Sequence, residues 1–411
     1  RGKDVVLDMN GHSILGVNAN GGNIEVTSGK LTLKDSKENS TGRIYTETPY
    51  NVSGSSFCYS TPVINVTDGE FVMESGRIYT VIPEKTADNG QFGVGAWGSS
   101  KITINGGTIE SGWYAIAGNG SETKSTTITI NGGTLVSTAD YAIYHPQPGK
   151  LTVNDGAVIY GLAGAIAMKG GELEVKGGTL TSKGKGNTGT WGDGTGNLGN
   201  AALNFSKPYG NVKATITGGT ITAEGDAVVI DAKPTAGKEV SLAISGGTYS
   251  SDVTALLDEN SKAENQGDNY VVTTYYAQVG ETKYATLQEA VDAATAGQTV
   301  TVINDVDMTS GKNITVKEGQ DIVLDMNGHS IKGSNADYKN IHVFGKLTLK
   351  DSKENSTGQI YSEDPYKSGV DKALIYVDNN GAFVMESGHI NTVLPNSVKN
   401  GQFAIGSFEN S

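Results

Sequence analysis

The stretch Lys101–Gly112 reads KITINGGTIESG, and much of the chain consists of variants of it. TTITINGGTLVS stands at 126–137, KLTVNDGAVIYG at 150–161, GELEVKGGTLTS at 171–182, KATITGGTITAE at 213–224 and VSLAISGGTYSS at 240–251. Each copy alternates apolar and polar residues, the pattern of a strand with one buried face. A glycine turn follows, typified by Gly107, Gly133, Gly178, Gly219 and Gly247, where positive φ is free of side-chain clash. The unit is therefore strand, corner, strand.

The apolar residues just after the corners are Ile14, Ile44, Ile78, Ile109, Leu135, Val158, Leu180, Ile221 and Tyr249. Their steps run from about 22 to about 41 residues, the range of stacked repeats. A second apolar patch follows each corner, as in Tyr114-Ala115-Ile116, Tyr141-Ala142-Ile143, Ala165-Ile166-Ala167, Ala227-Val228-Val229 and Ala255-Leu256-Leu257. One repeat then carries two or three short strands, each pairing with its equivalent in the next. The pattern predicts an all-β parallel β-helix, a solenoid.

Composition fits this reading. Glycine, 57 of 411 residues, is about twice its usual share, yet there is no three-residue period. Hydrophobic residues make up 36%, enough for a thin core that neighbouring repeats complete. The net charge of −13 argues against nucleic acid and against an anionic membrane surface. No apolar run approaches the roughly 20 residues that span a bilayer. The single Cys58 allows no intrachain disulfide and reads as a small, half-buried residue.

A longer period overlies the short one. RGKDVVLDMNGHSI at 1–14 returns as EGQDIVLDMNGHSI at 318–331, and KLTLKDSKENSTGRIYTE at 30–47 as KLTLKDSKENSTGQIYSE at 346–363. GEFVMESGRIYTVIP at 69–83 returns as GAFVMESGHINTVLP at 381–395. The offset drifts from about 317 to about 311 residues. Module one is read as 1–272 and the start of module two as 273–411, with the second module's coils over 313–411.

Between them, Thr286 and Glu289 form a capping box, and Leu287, Ala290, Val291 and Ala294 share one apolar face. A short amphipathic helix is expected at about 286–296, with Gly297 as its C-terminal cap. It would cover the open end of module two. Arg1 stands in mid-pattern, so module one is expected to have had a cap ahead of it. Ser182–Asn200 is a glycine-rich insertion.

No catalytic residues are assigned. Glycoside hydrolysis needs two carboxylates at close range, but the outward column Thr103, Thr129, Thr152, Glu174, Thr215, Ala243 holds one acid among neutral residues. No cluster of Asp with a nearby Arg or Lys base is found on stacked repeats. A threonine-rich ice-binding face would need paired threonines on every repeat. His12 and His329 sit in corners beside Asn-Gly, and His145, His342 and His389 show no metal spacing. Asp193 lies in a glycine-rich loop without the rest of a calcium pattern, so neither metal nor cofactor is expected. Asn105, Asn131 and Asn154 are expected to stack inside the corner.

The ligand-binding candidates are aromatic. Trp97, Trp113 and Trp191 are the only tryptophans, with Tyr141 and Tyr144 in phase nearby. Such rings stack on the C–H faces of sugars while their polar tips stay wet.

At KYATLQEAVDAATAGQTVTVINDV (283–306) followed by DIVLDMNGHSI (321–331), the sequence resembles the pectate-lyase-like right-handed β-helix modules of large bacterial surface proteins, especially those of gut Firmicutes. The resemblance covers essentially the whole chain in style. It implies a right-handed coil and a secreted or cell-surface setting. It implies no catalytic residue, because no position here matches the motifs of polygalacturonases or pectate lyases. The expected function is a structural and adhesive repeat segment, stalk- or fibre-forming. Its partners would be adjacent modules and host or microbial glycans. A carbohydrate-binding module and a polysaccharide lyase or glycoside hydrolase are the alternatives.

Overall fold

Alternation shapes the opening strand of each repeat. In Lys101–Ile104, Ile102 and Ile104 are fully buried and Lys101 faces solvent. Ile102 lies beside Phe71 of the repeat before and Ile128 of the repeat after, both in parallel register. The computed structural model describes residues 2–16, 22–47, 62–80, 92–118, 124–183, 201–205, 209–230, 237–308, 313–333, 339–363, 373–378, 380–392 and 403–407. The chain divides into two units, 1–273 and 274–411.

Three parallel ladders run through the first unit. The first holds nine strands, from Lys3–Asp8 through Lys101–Ile104 to Val240–Ile244. The second stacks Ile14, Ile44, Ile78, Ile109, Leu135, Ile159, Leu180, Ile221 and Tyr249 in one inward column. The third aligns Ile24, Ile64, Val94, Ile116, Ile143, Ile166, Leu203 and Val228. Buried residues from all three ladders meet in one hydrophobic cluster. Each fully buried Ile or Leu contributes about 1.5–3 kcal/mol.

The glycine pair at the corner does two jobs. Gly107 has φ +83°, which few other residues adopt. Gly106 is needed for closeness, since a Cβ there would lie 2.6 Å from the Glu74 carbonyl oxygen of the preceding repeat. Gly133, Gly178, Gly219 and Gly247 keep the positive φ of Gly107.

Two sequence expectations need correction. The corner after Val153 holds one extra residue, so the register shifts and Gly156 pairs with Gly132. Ile159 therefore joins the inward column, and Val158 is left 42% exposed. In the last repeat, the patch at Ala255–Leu257 does not form a strand; a 3-10 turn spans Thr254–Leu256. Beyond it, Tyr270–Thr274 runs antiparallel along Thr248–Tyr249, which occupies an edge that would otherwise be open.

The repeated DSKENSTG loop has a physical cause. The Asp35 carboxylate accepts backbone N–H groups from Gly11, Lys37 and Gly42. Burial works to raise its pKa, but these three donors outweigh it and hold the group below the usual carboxylate range. In the second unit Asp351 accepts from Gly328, Lys353 and Gly358 in the same way.

The second unit also has three parallel ladders, seen in the pairings of Asp321–Asp325, Ser330–Lys332 and Lys339–Val343 with the strands after them. At its start, Ala277–Val279 runs antiparallel to Thr299–Val302, which pairs in parallel with Asp321–Asp325. Helix α1, Leu287–Ala293, buries Leu287, Ala290 and Val291 in the core of this unit. Thr286 and Glu289 make both capping-box bonds, 3.2 and 3.0 Å. The helix ends at Ala293, short of the expected 296. Gly297 serves the turn Thr295–Gln298 instead of capping the helix. The Gln288 side chain donates to the Thr315 carbonyl (3.2 Å) and accepts from its N–H (2.6 Å), standing in for a neighbouring strand.

Candidate functional site

On the third ladder, Ile116, Ile143 and Ile166 point into the core, so Ala117, Tyr144 and Ala167 point outward, aligned with Gly95. Three of these four residues are small, and aromatic side chains lie over them. Phe92, Tyr114, Tyr141, Ala117, Ala163 and Ala167 form a second, separate cluster, with Trp97, Trp113 and Tyr144 packed against it half-buried. Trp97 and Trp113 each meet Phe92 edge-on, with centroids 6.1 and 6.5 Å away. Trp113 stacks on Tyr114 at 4.5 Å, and Tyr114 on Tyr144 at 5.2 Å. The Trp113 indole N–H donates to Asp140 at 3.0 Å.

The structure thus brings together four of the five aromatic candidates, Trp97, Trp113, Tyr141 and Tyr144. Tyr141 needs correction as a ligand contact. It is fully buried and its hydroxyl accepts from Asn204 at 2.7 Å, so it supports the cluster from within. Trp191, Asp193 and Cys58 lie outside the described residues.

The outward columns of the first ladder hold more charge than the sequence reading found. Thr103, Thr129, Thr152, Glu174, Thr215 and Ala243 do align. Beside them a second column runs Asp4, Lys30, Glu70, Lys101, Thr127, Lys150, Glu172, Lys213. Glu70 lies 3.4 Å from both Lys30 and Lys101. Glu174 lies 2.8 Å from Lys150 and 3.4 Å from Lys176. Glutamates and lysines are therefore paired across adjacent repeats, beside a threonine column that itself holds one acid. The Lys150 hydrogen bond holds the Glu174 carboxyl below its usual range, which suits an ion pair and disfavours a proton donor.

Asn154 donates to Asn131 at 2.7 Å, Asn131 to Asn105 at 2.8 Å and Asn105 to Glu74 at 2.9 Å. This ladder runs along the outer surface of the corner, not inside it: Asn105 and Asn131 are exposed. His12 and His329 serve turns, their N–H groups bonding Met9 and Met326. His342 lies 2.8 Å from Asp378. No group of three His, Cys, Asp or Glu that could hold a metal occurs among the described residues.

A further set of outward residues lies on the second ladder. Arg43 and Tyr45 flank inward Ile44, and Arg77 and Tyr79 flank inward Ile78 one repeat on. The signal was the recurring string GRIYT at 42–46 and 76–80.

No family model, no curated protein and no solved structure matches the chain.

Proposed function

We propose that the chain is a structural and adhesive repeat segment of a secreted or wall-attached bacterial surface protein. In this reading the three ladders of each unit are the faces of a right-handed parallel β-helix. The observation that carries it is the unbroken parallel pairing of nine first-ladder strands around one core. Stacked repeats resist extension because every rung is hydrogen-bonded to the next, and outward positions remain free to vary. A crystal structure with left-handed winding would end the β-helix part of the proposal.

The adhesive part rests on Trp97, Trp113 and Tyr144, half-buried on the outer face of the third ladder. Half-burial fixes each ring and leaves part of it for a sugar face. The same feature favours the second reading, a carbohydrate-binding module. Glycan-array binding is expected, weakened at least tenfold by Trp113→Ala; that variant also loses ring packing and the Asp140 bond and should unfold at a lower midpoint, so binding is compared where both proteins are folded. Absence of binding by the unaltered chain removes adhesion and leaves the stalk.

A further inference from the structure

On the second ladder's outer face, two columns run side by side. One is Ser13, Arg43, Arg77 and the other Leu15, Tyr45, Tyr79, each aligned across successive repeats. Arg43 stands over its own Tyr45 ring, 4.1 Å from the centroid, and Arg77 over Tyr79 at 5.6 Å. A guanidinium lying on a ring is held in place, while its N–H edges stay free for an oxyanion. Arg77 is ion-paired with Glu110. Arg43 has no carboxylate partner among the described residues.

Adjacent repeats are about 4.8 Å apart, so two guanidinium groups stand as like-charged neighbours; Glu110 already offsets Arg77, and among the described residues no carboxylate offsets Arg43. Below them Leu15 is 55% exposed and extends the tyrosine column as an apolar strip. The spacing of the repeats is comparable to the advance of one sugar in an extended chain.

The second unit supplies a control within the same polypeptide. In otherwise near-identical strings, Arg43 is replaced by Gln359, Arg77 by His389 and Tyr79 by Asn391, while the inward isoleucines persist as Ile360 and Ile390. There Asn391 donates to Gln359 at 3.0 Å, a neutral pairing. The frame is the same and Tyr361 keeps the place of Tyr45, but the pair of arginines and the second tyrosine belong to the first unit.

We infer that Arg43, Arg77, Tyr45 and Tyr79 form a binding site for an extended anionic polysaccharide running along the second ladder. Its carboxylate or sulfate groups meet the guanidinium edges, and its ring C–H faces meet Leu15 and the tyrosines. The net charge of −13 opposes polyanions at long range, but charges beyond roughly 8 Å are largely screened at physiological salt. The site lies on a different ladder from the aromatic cluster and does not depend on it.

The test measures binding of the full chain to dextran sulfate, polygalacturonate and neutral dextran. At least one anionic polymer should bind, and neutral dextran should not; which anionic polymer binds tells sulfate from carboxylate. The variant Arg43→Gln/Arg77→His/Tyr79→Asn carries residues that the second unit already accommodates. It should fold normally and bind at least tenfold more weakly, whereas Lys213→Gln, a loss of one positive charge on the first ladder, should bind unchanged. Binding of neither anionic polymer, equal binding of neutral dextran, or undiminished binding by the triple variant overturns the inference.

Discussion

His145 lies wholly inside the first unit, its Nδ1 3.1 Å from the Gly170 carbonyl oxygen. A carbonyl only accepts, so Nδ1 holds the proton and Nε2 presents a lone pair with no hydrogen-bond partner among the described residues. Burial pushes the pKa from 6.5 down to about 4. The neutral ring is thus favoured in the fold, and the unfolded chain binds the extra proton between these values. Stability should therefore fall as pH drops from about 6.5 to about 4, by up to about 3 kcal/mol. Asp8, held near 2 chiefly by the Ser36 N–H, loses its contribution only at lower pH. Denaturant melts of the unaltered chain and of His145→Asn across pH 7 to 4 check this. Equal slopes in the two proteins would rule out His145 as the source.

Gln288 shows how one side chain can close a strand edge. Its amide satisfies both backbone groups of Thr315, at 2.6 and 3.2 Å. Gln288→Leu keeps a helix-forming residue and removes both bonds, at an expected cost of about 1–3 kcal/mol. Amide exchange should quicken at Thr315 first; unchanged protection there would refute this role. The existence of α1 was legible because a capping box and a four-residue apolar face are local signals. Its end was not, because Thr295 and Gln298 make a turn that competes with another helical turn. The inward columns were equally legible from alternation. The slip at Val158 was not, since one extra corner residue looks the same as ordinary variation until the partner strand is seen. Tyr141 was not legible: it stands two residues before inward Ile143, yet its ring joins the outer aromatic cluster and its hydroxyl meets Asn204, aligned with outward Ala167. The GRIYT strings were legible, with Arg and Tyr both out of phase with the inward isoleucine. Trp113 and Tyr114 meeting Tyr144 depended on lateral packing between repeats, which no local pattern states.

Across the first unit as a whole, charge is ordered along the stack. Asp4, Lys30 and Glu70 succeed one another in one column, Asp8, Lys34 and Glu74 in another, and Asp8 and Lys34 pair at 3.3 Å. Single exposed pairs of this kind are worth at most about 1 kcal/mol, so the order matters less for stability than for choosing neighbours. Lys30→Glu/Lys34→Glu should lower the melting midpoint in low salt, by the equivalent of about 1–2 kcal/mol, and largely recover in high salt. Lys30→Gln/Lys34→Gln should lose less; equal losses would show that sign is irrelevant. The alternation also gives the opening rungs a parity. A slip or deletion of one rung there sets acid against acid, whereas a change of two restores the match. Growth or loss of this part by recombination should therefore be tolerated more readily in even numbers of rungs than in odd.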